Sequence, residues 1–196
     1  MIRLALLLSL LCWANFAKTI KLSMAKTTGE VSFLAIGRPS AIKIKGKAPA
    51  GVSTSGELRF SDKTVSGTVI VNLSAFETGI ELRDRHMKER YLEVARFPEA
   101  ALEIEALVLP ESLDKGDVMV RDVAFHGQLS LHGQKRPVSG TAGVEESAQT
   151  NRITFTITFS TKTSDYAISV PSYMGIKVAD EVIVSAVVSG PIEVVP

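Results

Sequence analysis

Sulfur chemistry is nearly absent from this chain: its single cysteine, Cys12, sits in an apolar run at the N-terminus. One thiol forms no internal disulfide and no cysteine-based metal site. An excess of either charge is also missing. Lys and Arg total 22 against 21 Asp and Glu, and both signs are scattered along the chain. Without a basic stripe there is no phosphate footprint, and nucleic acid is excluded as an expected partner. No apolar stretch reaches the roughly 20 residues of a spanning helix, so no stable membrane span is expected. The serine-nucleophile elbow, the phosphate-cradling glycine loop, the zinc-protease helix pair and the dinucleotide fingerprint are absent too.

The N-terminus has a definite layout. Met1, Ile2 and Arg3 lead into an apolar run from Leu4 to Trp13 and a small-residue exit at Ala14 to Ala17. This is the pattern of a secretory signal peptide. Residues 1–17 are assigned to it and 18–196 to the mature protein, with cleavage after Ala25 as the alternative. The bulk of Leu10 and Leu11 argues against a lipoprotein cut before Cys12. The expected location is the periplasm, and the length after processing suits one domain.

From Gly29 onward the dominant period is two. Between Asn151 and Ser160, Ile153, Phe155, Ile157 and Phe159 face one way, while Arg152, Thr154, Thr156 and Thr158 face the other. Leu58 with Phe60, Val69 with Val71 and Leu73, and Leu102 with Ile104 repeat the pattern. Turn-prone clusters at Ala48–Gly51, Ser61–Lys63 and Glu145–Thr150 separate these runs. The apolar parity changes between Val118 and Val123, which predicts a bulge near Arg121 and Asp122. The last strand, Val182 to Val188, is apolar on both faces and is therefore covered outside or used in a homodimer contact. Only Thr78 to Val94 has helical spacing, through Ile80, Met87, Tyr91 and Val94. A helix near residues 79–94 is expected, with Thr78 and Glu81 as a capping box and Phe97-Pro98 as the stop. So many strands with one helix make an all-β fold, a sandwich or an antiparallel barrel.

Candidate chemistry is thin. His126 and His132 share a strand, but six residues at about 3.3 Å each separate them by roughly 20 Å, too far for one metal. Asp84 and His86, with Glu89 nearby, form a carboxylate-imidazole pair that would seed an acid-base couple, yet nothing else completes a mechanism. Helical geometry places Asp84 on the apolar flank, where a buried partner would tie it down, and turns His86 outward with Arg90. The charged run from Arg83 to Arg90 is read either as a solvated face or as a site for an anionic head group. Phe60, Phe125, Phe155 and Phe159 line the interior, and alternation does not distinguish a solid core from a tunnel.

Three ordered segments bear a family resemblance. They are Ser74–Glu105, with Thr78, Arg83, Asp84, His86, Phe97 and Pro98; Leu129–Val138, LSLHGQKRPV; and Ser164–Val188, with the closing loop and final strand. Together they resemble the YceI-like family of periplasmic, lipocalin-like polyisoprenoid-binding proteins. Ala167 stands where many members have glycine. The resemblance implies an extended antiparallel lipocalin-like β-barrel of about eight strands around a tunnel. The tunnel would hold a polyisoprenoid, a quinone-like molecule or another amphiphilic lipid, with no catalytic residue, metal or cofactor. On that reading Phe60, Phe125, Phe155 and Phe159 are tunnel candidates, and Arg83, His86, Tyr91, Tyr173 and Lys177 are mouth candidates. The competing readings are a filled barrel that docks a protein through its last strand or charged helix, and a hydrolase or isomerase at Asp84 and His86.

Overall fold

The computed structural model describes residues 19–38, 42–110, 117–170, 172–173 and 176–195, with the side chains of 38, 172, 173 and 176 outside that description. The assigned signal segment 1–17, including Cys12, and the expected mature start at Lys18 lie outside the described residues. The strands are β1 (Thr19–Ser23), β2 (Thr28–Arg38), β3 (Ile42–Pro49), β4 (Thr54–Ser61), β5 (Thr64–Asn72), β6 (Glu99–Val108), β7 (Met119–Leu131), β8 (Gln134–Ser147), β9 (Arg152–Lys162), β10 (Ser172–Tyr173), β11 (Ile176–Pro191) and β12 (Glu193–Val195). All pair antiparallel in one sheet of order β12-β1-β4-β5-β6-β7-β8-β9-β11-β2-β3, with β10 beside β11.

The expectation of about eight strands gives way to twelve segments, for a definite reason. Three long passages are interrupted. A 3-10 turn at Met24–Lys26 separates β1 from β2, a turn at residues 50–53 separates β3 from β4, and Pro191-Ile192 separates β11 from β12. The registers show that the passages are continuous. Ser23 faces Glu57 across β1 and β4, and Glu30 faces Pro49 across β2 and β3, so one antiparallel pair runs through both interruptions. Rejoining the three passages and setting aside the two-residue β10 recovers eight strands.

Curling brings the first and last passages together, since β11 pairs with β2 and its continuation β12 pairs with β1. Around β1 and β4 the sheet is closed and solid. Ile20, Leu22, Met24, Leu58, Phe60, Val65, Leu107 and Ile153 fill it, none more than 1% exposed. Phe60 and Phe155 meet edge-on there, with centroids 6.3 Å apart. The other half is split. The outer edge of β3 makes only a single bridge, Lys47 to Glu77, while β5 ends at Asn72. The chain from Leu73 to Phe97 leaves the sheet and fills the gap between β3 and β6.

That plug carries the helix, which is shorter than predicted. An α-helix, α1, spans Glu81–His86 and continues as a π-helical turn over Met87–Tyr91. The predicted capping box does not form: Ile80 is the N-cap and makes no side-chain cap bond. Thr78 is used instead to hold the plug together. Its amide donates to Asp84 Oδ1 at 2.8 Å and its hydroxyl donates to the same oxygen. Arg83 Nε donates back to Thr78 Oγ1 at 2.7 Å, and Nη2 donates to the Thr78 carbonyl at 2.8 Å. Asp84 is tied down locally, though by the half-buried Thr78 and not by the buried partner expected.

The alternation holds elsewhere. The register of β7 against β8 slips between Val120 and Val123, with Asp122 at a φ of 54°, so the predicted bulge is present. In β11 the residues Ile183 and Val187 face outward and are 42% and 49% exposed.

Candidate functional site: a cavity beneath the helix

Where the barrel splits, the inward side chains do not meet across the interior. They enclose a cavity of about 630 Å³. Val31, Phe33 and Ala35 of β2, Ile42 and Ile44 of β3, and Val182, Val184 and Ala186 of β11 form one side. Leu129 and Leu131 of β7 and Phe155, Ile157 and Phe159 of β9 form the other. The plug closes the top with Phe76, Ile80, Leu82, Met87, Tyr91 and Leu92. An apolar pocket of this size falls within the usual range for small-molecule sites.

The opening can be located from exposure. Ile42, Ile80 and Leu82 all line the cavity, yet they are 42%, 54% and 45% exposed. These exposed lining residues place a mouth between β3 and α1.

Polar groups sit in two places. Deep in the wall Thr161 donates to the Tyr166 hydroxyl at 3.2 Å. Burial pushes the Tyr166 phenol above its ordinary value, so it stays neutral at physiological pH. On the helix, Arg83, His86 and Arg90 line the wall, and no carboxylate does so among the described residues.

Sequence expectation and structure meet unevenly here. Phe155 and Phe159 lie on the cavity wall, whereas Phe60 and Phe125 are packed in the solid interior and do not line it. Arg83, His86 and Tyr91 line the wall. Lys177 is exposed on β11 and does not line the cavity, and Tyr173 lies in β10 with its side chain outside the described residues. The expectation that His86 turns away to solvent is corrected, because it is half-buried against the cavity wall, whereas Arg90 is exposed as expected and borders the cavity at its rim. Sequence reasoning omitted Tyr166 from the candidates and included Arg90 only as the end of the charged run. Arg90 follows His86 by four residues, and that spacing was the available signal. The acid-base pair does not assemble: the Asp84 oxygen is occupied by Thr78, and no three His, Cys, Asp or Glu side chains converge as a metal site among the described residues.

Three solved structures share this architecture. A polyisoprenoid binding domain from Saccharophagus degradans implicated in plant cell wall breakdown is 14% identical, with a TM-score of 0.58 over 90% of this chain and 99% of that one. BcnA of Burkholderia cenocepacia is 17% identical, with a TM-score of 0.65 over 86% of this chain and 99% of that one. A Campylobacter jejuni YCEI protein is 15% identical, with a TM-score of 0.58 over 76% and 85% of the two chains. At such identities the likeness is one of fold. No curated protein matches the chain. The model of the YceI-like domain matches residues 17–189, nearly the whole described barrel, and the chain belongs to that family.

Proposed function

We propose that this protein binds an amphiphilic lipid, with the apolar tail inside the cavity and the polar head at the mouth between β3 and α1. The observation that carries this reading is an apolar cavity of about 630 Å³ left open inside a barrel whose other half is solid. An unfilled apolar interior forfeits packing, and an apolar guest restores it. Each methylene moved from water contributes about 0.8 kcal/mol, so a chain of ten or more carbons binds without any reactive group. The polyisoprenoid binding of the Saccharophagus degradans domain supports a polyisoprenoid, a quinone-like molecule or a related chain as the guest. The N-terminal pattern supports export to the periplasm, where such a protein stores or carries its lipid outside a bilayer. The residues assigned to binding are Phe155, Phe159 and Tyr91 along the tail, with Arg83 and His86 at the mouth.

Native mass spectrometry of protein purified without detergent tests this directly. A mass increment from copurified lipid, or uptake of farnesol or a short-chain quinone by emptied protein, is expected. A clean apo mass that no offered isoprenoid, quinone or fatty alcohol changes overturns the reading.

A further inference from the structure

The charge of the cavity wall is one-sided. Its basic side chains are Arg83, His86 and Arg90, all on the plug, and no Asp or Glu lines it among the described residues. The three side chains are not equivalent. Arg83 spends Nε and Nη2 on Thr78, which fixes its guanidinium as part of the plug. His86 and Arg90 make no hydrogen bond or ion pair among the described residues, and they share one side of the cavity with Tyr91. They sit at the same end as the exposed rim residues Ile80 and Leu82, where a polar head would remain while its tail lies inside. Of the carboxylates nearest in sequence, Asp84 accepts from Thr78, and Glu89 is exposed, lies off the cavity wall and makes no ion pair with either side chain.

We propose that the ligand carries an anionic head, a carboxylate or a phosphate, seated against Arg90 and His86 at the mouth. This rests on the lipid-binding reading and narrows it, since a neutral alcohol or quinone oxygen accepts a hydrogen bond but brings no charge to balance the guanidinium. A guanidinium and an imidazole four residues apart give an anion two donors from one wall, and charge-assisted hydrogen bonds are the strong ones. Geometry and charge select the head, while the apolar walls select the tail.

Matched pairs of ligands separate the two contributions. Palmitate competes with cetyl alcohol, and farnesyl phosphate competes with farnesol, on the full mature protein, with bound species read by native mass spectrometry. The expected result is a preference of about tenfold for the anion over its alcohol, the scale of one charge-assisted hydrogen bond. The preference shrinks as salt rises. An Arg90→Gln, His86→Gln double variant brings the ratio of anion to alcohol close to one, Arg90→Lys retains most of it, and Arg85→Gln, an exposed charge outside the cavity wall, leaves it alone. Preference for palmitate without preference for farnesyl phosphate, or the reverse, supports the proposal and identifies the head group. Equal binding of alcohol and anion, unchanged in the double variant, overturns the anionic head and leaves lipid binding standing. Binding of none of the four overturns both.

Discussion

Phe125 and Phe159 meet edge-on across an intervening strand, with ring centroids 6.1 Å apart and planes at 75°. Between them lies Gly140 of β8, paired with both in register. A Cβ there would sit 2.9 Å from the Phe125 ring, 2.8 Å from Phe159 Cβ and 2.1 Å from the Thr158 carbonyl oxygen. Gly140→Ala is therefore expected to cost about 1–3 kcal/mol. At about 2–4 °C per kcal/mol for a domain of this size, the loss is readable as a fall in Tm. An unchanged Tm would show that the two rings do not need that gap.

Val184 lies on the cavity wall, with Phe33 and Phe159 as its register partners on either side. Val184→Trp places extra bulk in space that no side chain occupies. The expected outcome is loss of lipid uptake by at least tenfold, with Tm held or raised. The result separates cavity filling from unfolding, because overpacking a closed core lowers stability. Retained uptake would move the ligand elsewhere.

The plug depends on Thr78. Thr78→Val removes the hydroxyl that donates to Asp84 and accepts from Arg83. A loss of about 1–2 kcal/mol is expected. Hydrogen exchange at the amides of residues 80–91 should accelerate while β9 and β11 stay protected, and bound lipid should leave faster. Uniform loss of protection across the sheet would contradict a locally fastened plug.

Ala167 closes the 3-10 turn Thr163–Tyr166 in the left-handed region, at a φ of 56° and a ψ of 24°. Its Cβ is strained there, and glycine is the residue that position favours. Ala167→Gly should stabilise the protein by about 0.5–1 kcal/mol, the relief of strain being partly offset by added freedom in the unfolded chain. A drop in Tm would mean that the strain is relieved in some other way.

Asp180 caps the same turn from β11. It accepts from Ser164 Oγ at 2.6 Å, Ser164 N at 2.9 Å and Thr163 Oγ1 at 2.9 Å. The Ser164 hydroxyl bond is the main reason its carboxyl is held below the usual aspartate value. A lowered folded-state pKa contributes stability above the ordinary value near 3.9, and that contribution is lost as pH falls through the folded value. Asp180→Asn should lie below wild type in Tm at neutral pH, and the difference should close in acid. A gap that persists in acid would assign the effect to packing.

Much of this was legible in the sequence, and the exceptions have physical causes. Period-two alternation located the inward face of β9, and the parity change before Val123 located the bulge at Asp122, whereas the last strand, apolar on both faces, gave no such signal. Alternation reports which face is dry but not how far the opposite wall stands. Hence Phe60 and Phe155 carry the same signal, although Phe60 is packed in solid core and Phe155 lies on the cavity wall. The helix was found from Ile80, Met87 and Tyr91, but its π-helical turn was not, because an altered hydrogen-bond step leaves no mark in a pattern of apolar residues. That turn, Met87–Tyr91, directly follows His86, the residue that departs from the expected outward orientation. The family resemblance supplied the hollow interior that alternation could not.

The mouth between β3 and α1 has two edges, with Ile42 on one and Ile80 and Leu82 on the other. Those edges approach from different parts of the chain, and the described barrel contains no cysteine. A pair of introduced thiols, one on each lip, would thus meet no competing thiol within it. Oxidised, the staple would trap whatever is inside; reduced, it would let it go. The same architecture that serves a lipid could be turned into a container with a chemical latch.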